Sequence, residues 1–305
     1  MKLIATFLFA SVLLAAAAPL AVGQTLTPIA SFDGSTGEYP EGMTVDDHGN
    51  CYLSLVFGGR IKKVAADGAQ SVYAQIPDNW LLGMTFDQAG NLVVCGASGI
   101  WKVAPNGSVS MFATVPGHNF LNDVAYDHHG NLFVTDSNAY CIWKIDPQGN
   151  AVLWSADPLL QGASSIFPFP LGPNGIRFDD SAHTLYVLNT SAGRVVRFNV
   201  NRDGTASAGS VVVSSSTLFG ADGMDIDPQG DLYIAVNIQD RIVRVTPHGD
   251  LSDVVVGGAL ATPTALAFRR GAGWRKLYVC NNGNVFFSST PFGEGLLLLD
   301  LGHGE

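Results

Sequence analysis

A repeat dominates this sequence from Glu41 onward and limits the folds that the chain can adopt. Most units hold a short apolar run that ends at Asp, then a tight turn and further stretches in which apolar and polar residues alternate. Alternation with a period of two predicts β-strands that bury one face. Pairs such as Asp67-Gly68 and Asn106-Gly107 close most units and are typical of hairpin turns. Each unit is therefore expected to form four short antiparallel strands.

Six copies of the unit align at one equivalent position, and successive positions lie 40 to 52 residues apart: Glu41, Leu82, Asn122, Asn174, Asp222 and Thr264. A period of about 40–50 residues with four strands per unit indicates a β-propeller. We therefore expect an all-β, six-bladed β-propeller with four antiparallel strands per blade. The last blade lacks a strand, which Pro28–Phe32 would supply beside Gly295–Asp300. The N- and C-terminal strands would then close the ring and cover its edges.

The N-terminal residues have the pattern of a secretory signal peptide. Lys2 is followed by an uncharged apolar stretch to Ala18 and then by small residues that end at Gly23. The expected cut lies between Gly23 and Gln24, which leaves residues 24–305 as a single propeller domain, secreted or periplasmic. An uncleaved membrane anchor or a buried helix is the alternative, although the apolar stretch is short for a membrane span.

The charge balance limits the partners of the chain. Its 305 residues include 16 Lys or Arg against 26 Asp or Glu, for a net charge of −10. A protein this acidic has no electrostatic footprint for nucleic acid or for an anionic membrane surface. We expect a monomer, free of the membrane once the signal peptide is removed, whose partner is a small-molecule substrate.

The four cysteines are widely spaced and form no C-x-x-C motif: Cys51, Cys95, Cys141 and Cys280. Export would permit disulfides, and four cysteines allow three pairings among which the sequence does not choose. Each cysteine lies in or beside an apolar strand, which favours buried free thiols.

The aligned positions also concentrate the chemistry of the chain. The innermost strands of a propeller run in one direction along the central channel, so the residues just before them meet at one mouth. Two carboxylates and two amides stand there: Glu41, Asn122, Asn174 and Asp222. Oxygen donors of this kind suit Ca²⁺, and a divalent cation would neutralise both carboxylates. The alternative is that these are turn residues, because Asn and Asp favour turns.

Four motifs in this order resemble those of the regucalcin (senescence marker protein 30), gluconolactonase and luciferin-regenerating-enzyme family: Tyr39-Pro-Glu-Gly, Phe120-Leu-Asn-Asp-Val, Gly172-Pro-Asn-Gly-Ile and Ala221-Asp-Gly-Met-Asp-Ile-Asp. The resemblance runs from about Pro28 to Asp300. It implies one divalent cation on the same four residues, Ca²⁺ in the first place, with Mg²⁺, Mn²⁺ and Zn²⁺ as alternatives. It also implies metal-assisted hydrolysis of lactones or related esters.

The resemblance makes Asp222 the first candidate for the general base or nucleophile. Asp123 is a second catalytic candidate, and its alternative role is that of an acceptor that orients Asn122. Family members that act on sugar lactones have an Arg at the position of Phe120, so this chain departs from them. With Phe120, four nearby residues predict a pocket for an apolar lactone or ester: Trp80, His118, Phe167 and Phe169. The alternative is that these side chains anchor loops beneath the rim.

We therefore expect a secreted, Ca²⁺-dependent hydrolase of lactones or related esters. Two other functions stay open on the sequence. The repeat also resembles non-catalytic NHL-type propellers, in which the metal would be structural. The same scaffold also suits a non-hydrolytic lyase or cyclase, because fold does not determine function.

Overall fold

A computed structural model describes residues 25–163, 170–269, 274–283 and 293–302. Within those residues, 24 strands form six four-stranded antiparallel sheets. The predicted six-bladed β-propeller with four strands per blade is confirmed. The helices in this part of the chain are single 3-10 turns, at Gly34–Thr36, Pro158–Leu160, Ser216–Leu218 and Asn237–Gln239. None of them is long and apolar enough to cross a membrane.

Each blade is one sheet. In blades 1 to 5 the strands follow the chain from the channel outward, and in blade 6 the outermost strand is the first strand of the chain. Blade 1 holds β2 (Pro40–Val45), β3 (Cys51–Leu55), β4 (Arg60–Val64) and β5 (Gln70–Gln75), and blade 2 holds β6 (Leu81–Phe86), β7 (Leu92–Gly96), β8 (Gly99–Val103) and β9 (Val109–Ala113). Blade 3 holds β10 (Leu121–Tyr126), β11 (Leu132–Asp136), β12 (Cys141–Ile145) and β13 (Ala151–Ser155), and blade 4 holds β14 (Pro173–Phe178), β15 (Thr184–Asn189), β16 (Arg194–Asn199) and β17 (Ser210–Ser214). Blade 5 holds β18 (Ala221–Ile226), β19 (Leu232–Val236), β20 (Arg241–Val245) and β21 (Leu251–Val256), and blade 6 holds β22 (Pro263–Phe268), β23 (Lys276–Asn281), β24 (Gly295–Asp300) and β1 (Thr25–Ser31).

Blade 6 joins the two ends of the chain, as the sequence predicts. Thr25 of β1 pairs with Asp300 of β24, and Ser31 pairs with Gly295 at the other end of the ladder. The sheet thereby gains its fourth strand, and β1 forms its outer edge. The predicted signal peptide, residues 1–23, lies outside the described residues.

The hydrophobic core is divided among the interfaces between neighbouring blades. Between blades 2 and 3, for example, Val93 and Cys95 of β7 pack with Leu121 and Val124 of β10. Second strands such as β7 are buried on both faces, because a neighbouring sheet covers each side. The first strand of every blade lies beside the first strands of the two adjacent blades, so six such strands surround the channel.

The cysteines belong to this core. All four are buried and unpaired, which confirms the expectation of free thiols: Cys51, Cys95, Cys141 and Cys280. Burial raises the pKa of each thiol above its usual range. Since the thiolate is the reactive form, these cysteines are structural rather than nucleophilic.

Candidate active site

The six aligned residues lie inside the inner strands rather than just before them, which corrects the sequence-based placement. Each is the second residue of its strand: Glu41, Leu82, Asn122, Asn174, Asp222 and Thr264. In five blades the pairing with the next strand skips from the first residue to the fourth, as between Pro40 and Met43. The second and third residues therefore form a β-bulge, which re-aims their side chains.

Glycine at the third position lets the inner strands approach one another closely. Four of the six strands have it: Gly42, Gly83, Gly175 and Gly223. A Cβ atom on Gly42 would collide with the carbonyl oxygen of Leu82, and one on Gly175 would collide with that of Asp222. The backbone of one blade thus touches the aligned residue of the next, and this contact draws the aligned side chains around a narrow axis.

The four polar aligned residues line one small cavity in the channel, as predicted for a convergent site. Glu41, Asn122, Asn174 and Asp222 surround a space of about 20 Å³, with Thr264 beside them. One water-sized sphere occupies about 10–15 Å³, so this cavity has room for a single small ion or water. The side chains of Asn122, Asn174 and Asp222 are buried, and that of Glu41 is partly buried.

Two buried hydroxyl groups hold the amides in place. Asn122 Nδ2 donates to Ser137 Oγ at 3.0 Å, and Ser137 Oγ donates to the carbonyl oxygen of Pro173 at 2.6 Å. Asn174 Nδ2 donates to Thr190 Oγ1 at 3.1 Å, and Thr190 Oγ1 donates to the carbonyl oxygen of Ala221 at 2.8 Å. These bonds fix the amides, and the carbonyl oxygen is the atom of each Asn that can bind a cation.

Two further amides hold the carboxylates. Asn237 Nδ2 donates to Asp222 Oδ2 at 2.9 Å, and Asn282 Nδ2 donates to Glu41 Oε2 at 3.2 Å. Sequence reasoning missed these supporting residues, yet a signal existed. The residue after the second strand of each blade is polar in blades 3 to 6 and apolar in blades 1 and 2: Ser137, Thr190, Asn237 and Asn282 against Val56 and Ala97.

The electrostatics of the cavity favour a bound cation. Burial raises the pKa of Asp222 to about 7, although hydrogen bonds from Asn237 and Asn174 oppose the rise. Burial also raises the pKa of Glu41 well above its usual range, and the neighbouring charge of Asp222 adds to that rise. Two carboxylates that share a poorly hydrated site repel each other, and a divalent cation between them would remove the repulsion.

The donor set fits one oxygen-ligated cation. Two carboxylates and two amides supply hard oxygen ligands, and a Ca²⁺ shell of about 6–8 oxygens would keep positions for water or substrate. The set contains no His or Cys, the ligands that Zn²⁺ favours. In the described ranges of the chain, no group of three or more His, Cys, Asp or Glu side chains could hold a metal ion. The proposed donor set has two such side chains, Glu41 and Asp222, and depends on its amides for the other ligands.

Asp123, the second catalytic candidate, occupies the bulge position that is glycine in four other blades. Its Oδ2 accepts hydrogen bonds from Arg177 Nη1 at 2.8 Å and from the amide nitrogen of Ile176 at 3.2 Å. Its Oδ1 accepts one from the amide nitrogen of Val124 at 2.9 Å. The carboxylate is therefore tied to blade 4. Because Asn122 donates to Ser137, the structure does not support the alternative in which Asp123 orients Asn122.

Three of the predicted pocket residues lie together at the same mouth of the channel. Trp80, His118 and Phe120 line a cavity of about 260 Å³ with Leu82, the apolar member of the aligned set. The rings of Trp80 and Phe120 meet edge to face, with centroids 6.0 Å apart. The other two predicted pocket residues, Phe167 and Phe169, lie outside the described residues.

The aromatic lining extends beyond the predicted residues on one side of the mouth. Phe57 packs edge to face against Trp80 at 5.8 Å between centroids, and Tyr39 packs against Phe57 at 6.2 Å. A positional signal underlies this row. The residue directly before the inner strand is aromatic in blades 1 to 3 and small in blades 4 to 6: Tyr39, Trp80 and Phe120 against Gly172, Gly220 and Thr262.

His118 anchors its loop across this pocket. Its Nδ1 lies 2.7 Å from the carbonyl oxygen of Val115, and its Nε2 lies 3.0 Å from that of Ala97. A carbonyl oxygen only accepts, and the tautomer of the ring decides which nitrogen donates. Both nitrogens face backbone carbonyls, which favours a role in shaping the pocket.

The chain is similar in sequence to a curated lactonase and in fold to a gluconolactonase and a calcium-binding protein. Lactonase drp35 of Staphylococcus haemolyticus is 24% identical over 285 residues, which cover 84% of each protein. A gluconolactonase from Xanthomonas campestris superposes with a TM-score of 0.67 at 17% identity, covering 94% of this chain and 98% of that one. Regucalcin from Agrobacterium tumefaciens, a calcium-binding protein, superposes with a TM-score of 0.69 at 18% identity, covering 92% and 93%.

The two structural similarities show a shared fold, and the family follows from the sequence itself. Residues 39–282 match the model of the SMP-30/Gluconolactonase/LRE-like region. This segment spans blade 1 to the end of β23 and contains every residue of the small polar cavity. The protein therefore belongs to the SMP-30/gluconolactonase/LRE-like family.

Proposed function

We propose that this protein is an exported, Ca²⁺-dependent hydrolase of lactones or related esters. The convergence of Glu41, Asn122, Asn174 and Asp222 on one cavity carries the proposal, in a family whose relatives include lactonases. The calcium-binding regucalcin of the same fold supports the choice of cation. When bound, the cation would act as a Lewis acid that polarises the ester carbonyl and stabilises negative charge on its oxygen.

The chain's own residues would orient the reactants and move the proton. Asn237 holds one oxygen of Asp222, which leaves the other to face the reacting groups. We assign Asp222 as general base, which takes a proton from the attacking water and returns it to the ring oxygen as the acyl C–O bond breaks. The product is the open hydroxy acid. Asp123 has no part in this step, because its carboxylate is committed to Arg177 and to backbone amides.

The pocket beside the cavity supports an apolar substituent on the substrate. Trp80, Leu82 and Phe120 supply apolar surface, and the space of about 260 Å³ adjoins the mouth where the carbonyl would bind. Burial of an alkyl or aryl group there is favourable by about 25 cal/mol per Å² of apolar surface. A sugar lactone would instead place hydroxyl groups against this surface without hydrogen-bonding partners.

The direct test combines metal analysis with a substrate panel. The purified protein is assayed for bound Ca²⁺ and for hydrolysis of alkyl-substituted lactones, an aldonolactone and aryl esters. We expect activity that a chelator abolishes and Ca²⁺ restores, with the highest kcat/KM on an alkyl-substituted lactone. The variant Glu41→Gln should lose both activity and the bound ion. Asp87→Asn is the matched control, because that carboxylate lies in a turn and accepts its bonds from Ala89 and Asn91.

Two results would contradict the proposal in different ways. Full activity of Glu41→Gln in excess chelator would show that hydrolysis does not require the cation. Bound Ca²⁺ without hydrolysis across the panel would instead favour a non-catalytic binding propeller.

The proposed export is tested separately. N-terminal sequencing of the secreted or periplasmic protein should begin at Gln24, one residue before β1, and a retained Met1 would exclude a cleaved signal peptide.

A further inference from the structure

One charged pair in the channel lies outside the four-residue donor set. Arg177 of β14 donates from Nη1 to Asp123 Oδ2 of β10 at 2.8 Å, so the pair links blades 3 and 4. The same Nη1 donates to the carbonyl oxygen of Ile176 at 2.7 Å. Asp123 is buried, and the guanidinium side chain is 20% exposed. Ion pairs held this far from water interact strongly, because little solvent screens them.

The pair lies at the boundary between two spaces. Asp123 and Arg177 both line the cavity of about 20 Å³ that holds the proposed cation ligands. Arg177 and Met43 also line a larger pocket of about 310 Å³ at the opposite end of the channel. The guanidinium therefore forms part of the floor of the cation cavity.

The charges around the cavity suggest what the pair does. Three carboxylates face or adjoin it, those of Glu41, Asp123 and Asp222, and Arg177 neutralises one of them. Two negative charges then remain to balance a cation. Asp225, whose charge also acts on Arg177, has its oxygens occupied by the backbone amides of Ile226 and Phe268.

We propose that Arg177, through its pair with Asp123, sets the charge preference of the cation site in favour of divalent over trivalent ions. The inference rests on the cation site of the proposed function. Arg177 cancels the charge of Asp123, which would otherwise be a third negative charge beside the cavity. An uncancelled negative charge there would attract an M³⁺ ion more strongly than an M²⁺ ion, by one additional unit of charge. Arg177 is thus a specificity-determining residue outside the set of proposed cation ligands.

The test measures the ratio of Ca²⁺ to Tb³⁺ dissociation constants for the full chain, by calorimetry and by Tb³⁺ luminescence at neutral pH. Arg177→Met keeps an unbranched but shorter side chain and removes its charge, so the ratio should shift toward Tb³⁺ by about tenfold or more. Arg177→Lys, which keeps the charge, should stay within about threefold of the parent protein. The double variant D123N/R177M removes both charges and should return toward the parent ratio.

The single variant Asp123→Asn keeps the test decisive if Arg177→Met fails to fold. It leaves Arg177 without its counter-charge, so the ratio should shift by about tenfold in the opposite direction, toward Ca²⁺. An unchanged ratio in folded Arg177→Met, or in folded Asp123→Asn, would overturn the inference while leaving the cation site intact. If the parent protein binds neither Ca²⁺ nor Tb³⁺, the proposed function itself fails and the inference fails with it.

Discussion

The inner strands carry carboxylates at both ends, but the two groups have opposite surroundings. Where the strands begin, Glu41 and Asp222 face a shared cavity. Where they end, an Asp directly follows the strand in five blades: Asp46, Asp87, Asp127, Asp179 and Asp227. The same residue type therefore recurs along the channel in two settings.

Asp87 represents the second setting. Its Oδ1 accepts the amide nitrogens of Ala89 and Asn91 at 2.9 and 2.8 Å, and its Oδ2 accepts Asn91 Nδ2 at 2.8 Å. Burial alone would raise the pKa of Asp87, but these hydrogen bonds outweigh it and the pKa is lowered. The pKa of Asp222 is raised instead. The turns of Asp46 and Asp87 satisfy their own carboxylates, whereas burial raises the pKa of Asp227 at the same position of blade 5. The mouth of the channel leaves a charge that a cation would balance.

Removing a carboxylate from each end gives the largest expected contrast. Asp222→Asn should weaken Ca²⁺ binding by about 100-fold or more, because the number of charged ligands tunes Ca²⁺ affinity. Asp87→Asn should leave that affinity unchanged. The measurement is the rise in melting temperature on adding Ca²⁺, since a ligand stabilises the state that binds it. An equal rise in melting temperature in both variants would show that the carboxylates at the two ends of the inner strands do not differ in their contribution to Ca²⁺ binding.

The sequence predicts the members of the site better than their supports. Glu41 and Asp222 could be found because a repeat turns sequence spacing into spatial convergence, whatever the details of the strands. Ser137 and Thr190 could not be identified in the same way. Each receives a bond within its own blade and donates to the next one, and that contact depends on how closely glycines such as Gly175 let the blades approach.

Asp123 shows the limit of the same reasoning. Its position next to Asn122 predicts a catalytic carboxylate, because residues adjacent in sequence can lie in the same site. Both residues line the cavity, but the β-bulge gives their side chains different partners: the Asn122 amide donates to Ser137, and the Asp123 carboxylate accepts from Arg177. Apolar periodicity predicts the strand but does not encode a bulge, so the sequence alone does not identify the hydrogen-bonding partner of Asp123.

The hydroxyl supports should give a smaller effect than the ligands. Thr190→Val removes the group that accepts the Asn174 amide while keeping the shape of the side chain. Loss of such a supporting hydrogen bond typically weakens metal binding by about 10–100-fold. Thr190→Ser keeps the hydroxyl and is the matched control. Calorimetric titration with Ca²⁺ checks both, and equal affinities in the two variants would show that the hydroxyl does not position Asn174.

The smallest expected effect is on the pH dependence of the stability of the metal-free protein. Its sign should be opposite for the two carboxylates. Asp222 has a folded-state pKa of about 7, above its unfolded value of about 3.9. Between those values the folded chain holds a proton that the unfolded chain has lost, so stability falls as pH rises. The lowered pKa of Asp87 has the reverse consequence, because its contribution is present above about pH 4 and is lost as pH falls below it.

The two isosteric variants should therefore depart from the parent protein in opposite directions at pH 7.5 in chelator. Asp222→Asn should melt higher than the parent, since it removes a carboxylate that must ionise in a buried site. Asp87→Asn should melt lower, by roughly 1–3 kcal/mol of unfolding free energy for its charge-assisted hydrogen bonds. The Asp222→Asn difference should shrink toward pH 4, where the folded parent holds a proton on Asp222. The Asp87→Asn difference should persist to about pH 4 and shrink only below it, because the pKa of Asp87 is lowered. Thermal melts of the three proteins across about pH 3–8 measure this. A lower melting point for Asp222→Asn in chelator would mean that the mouth carboxylate, like the turn carboxylate, stabilises the fold without a cation.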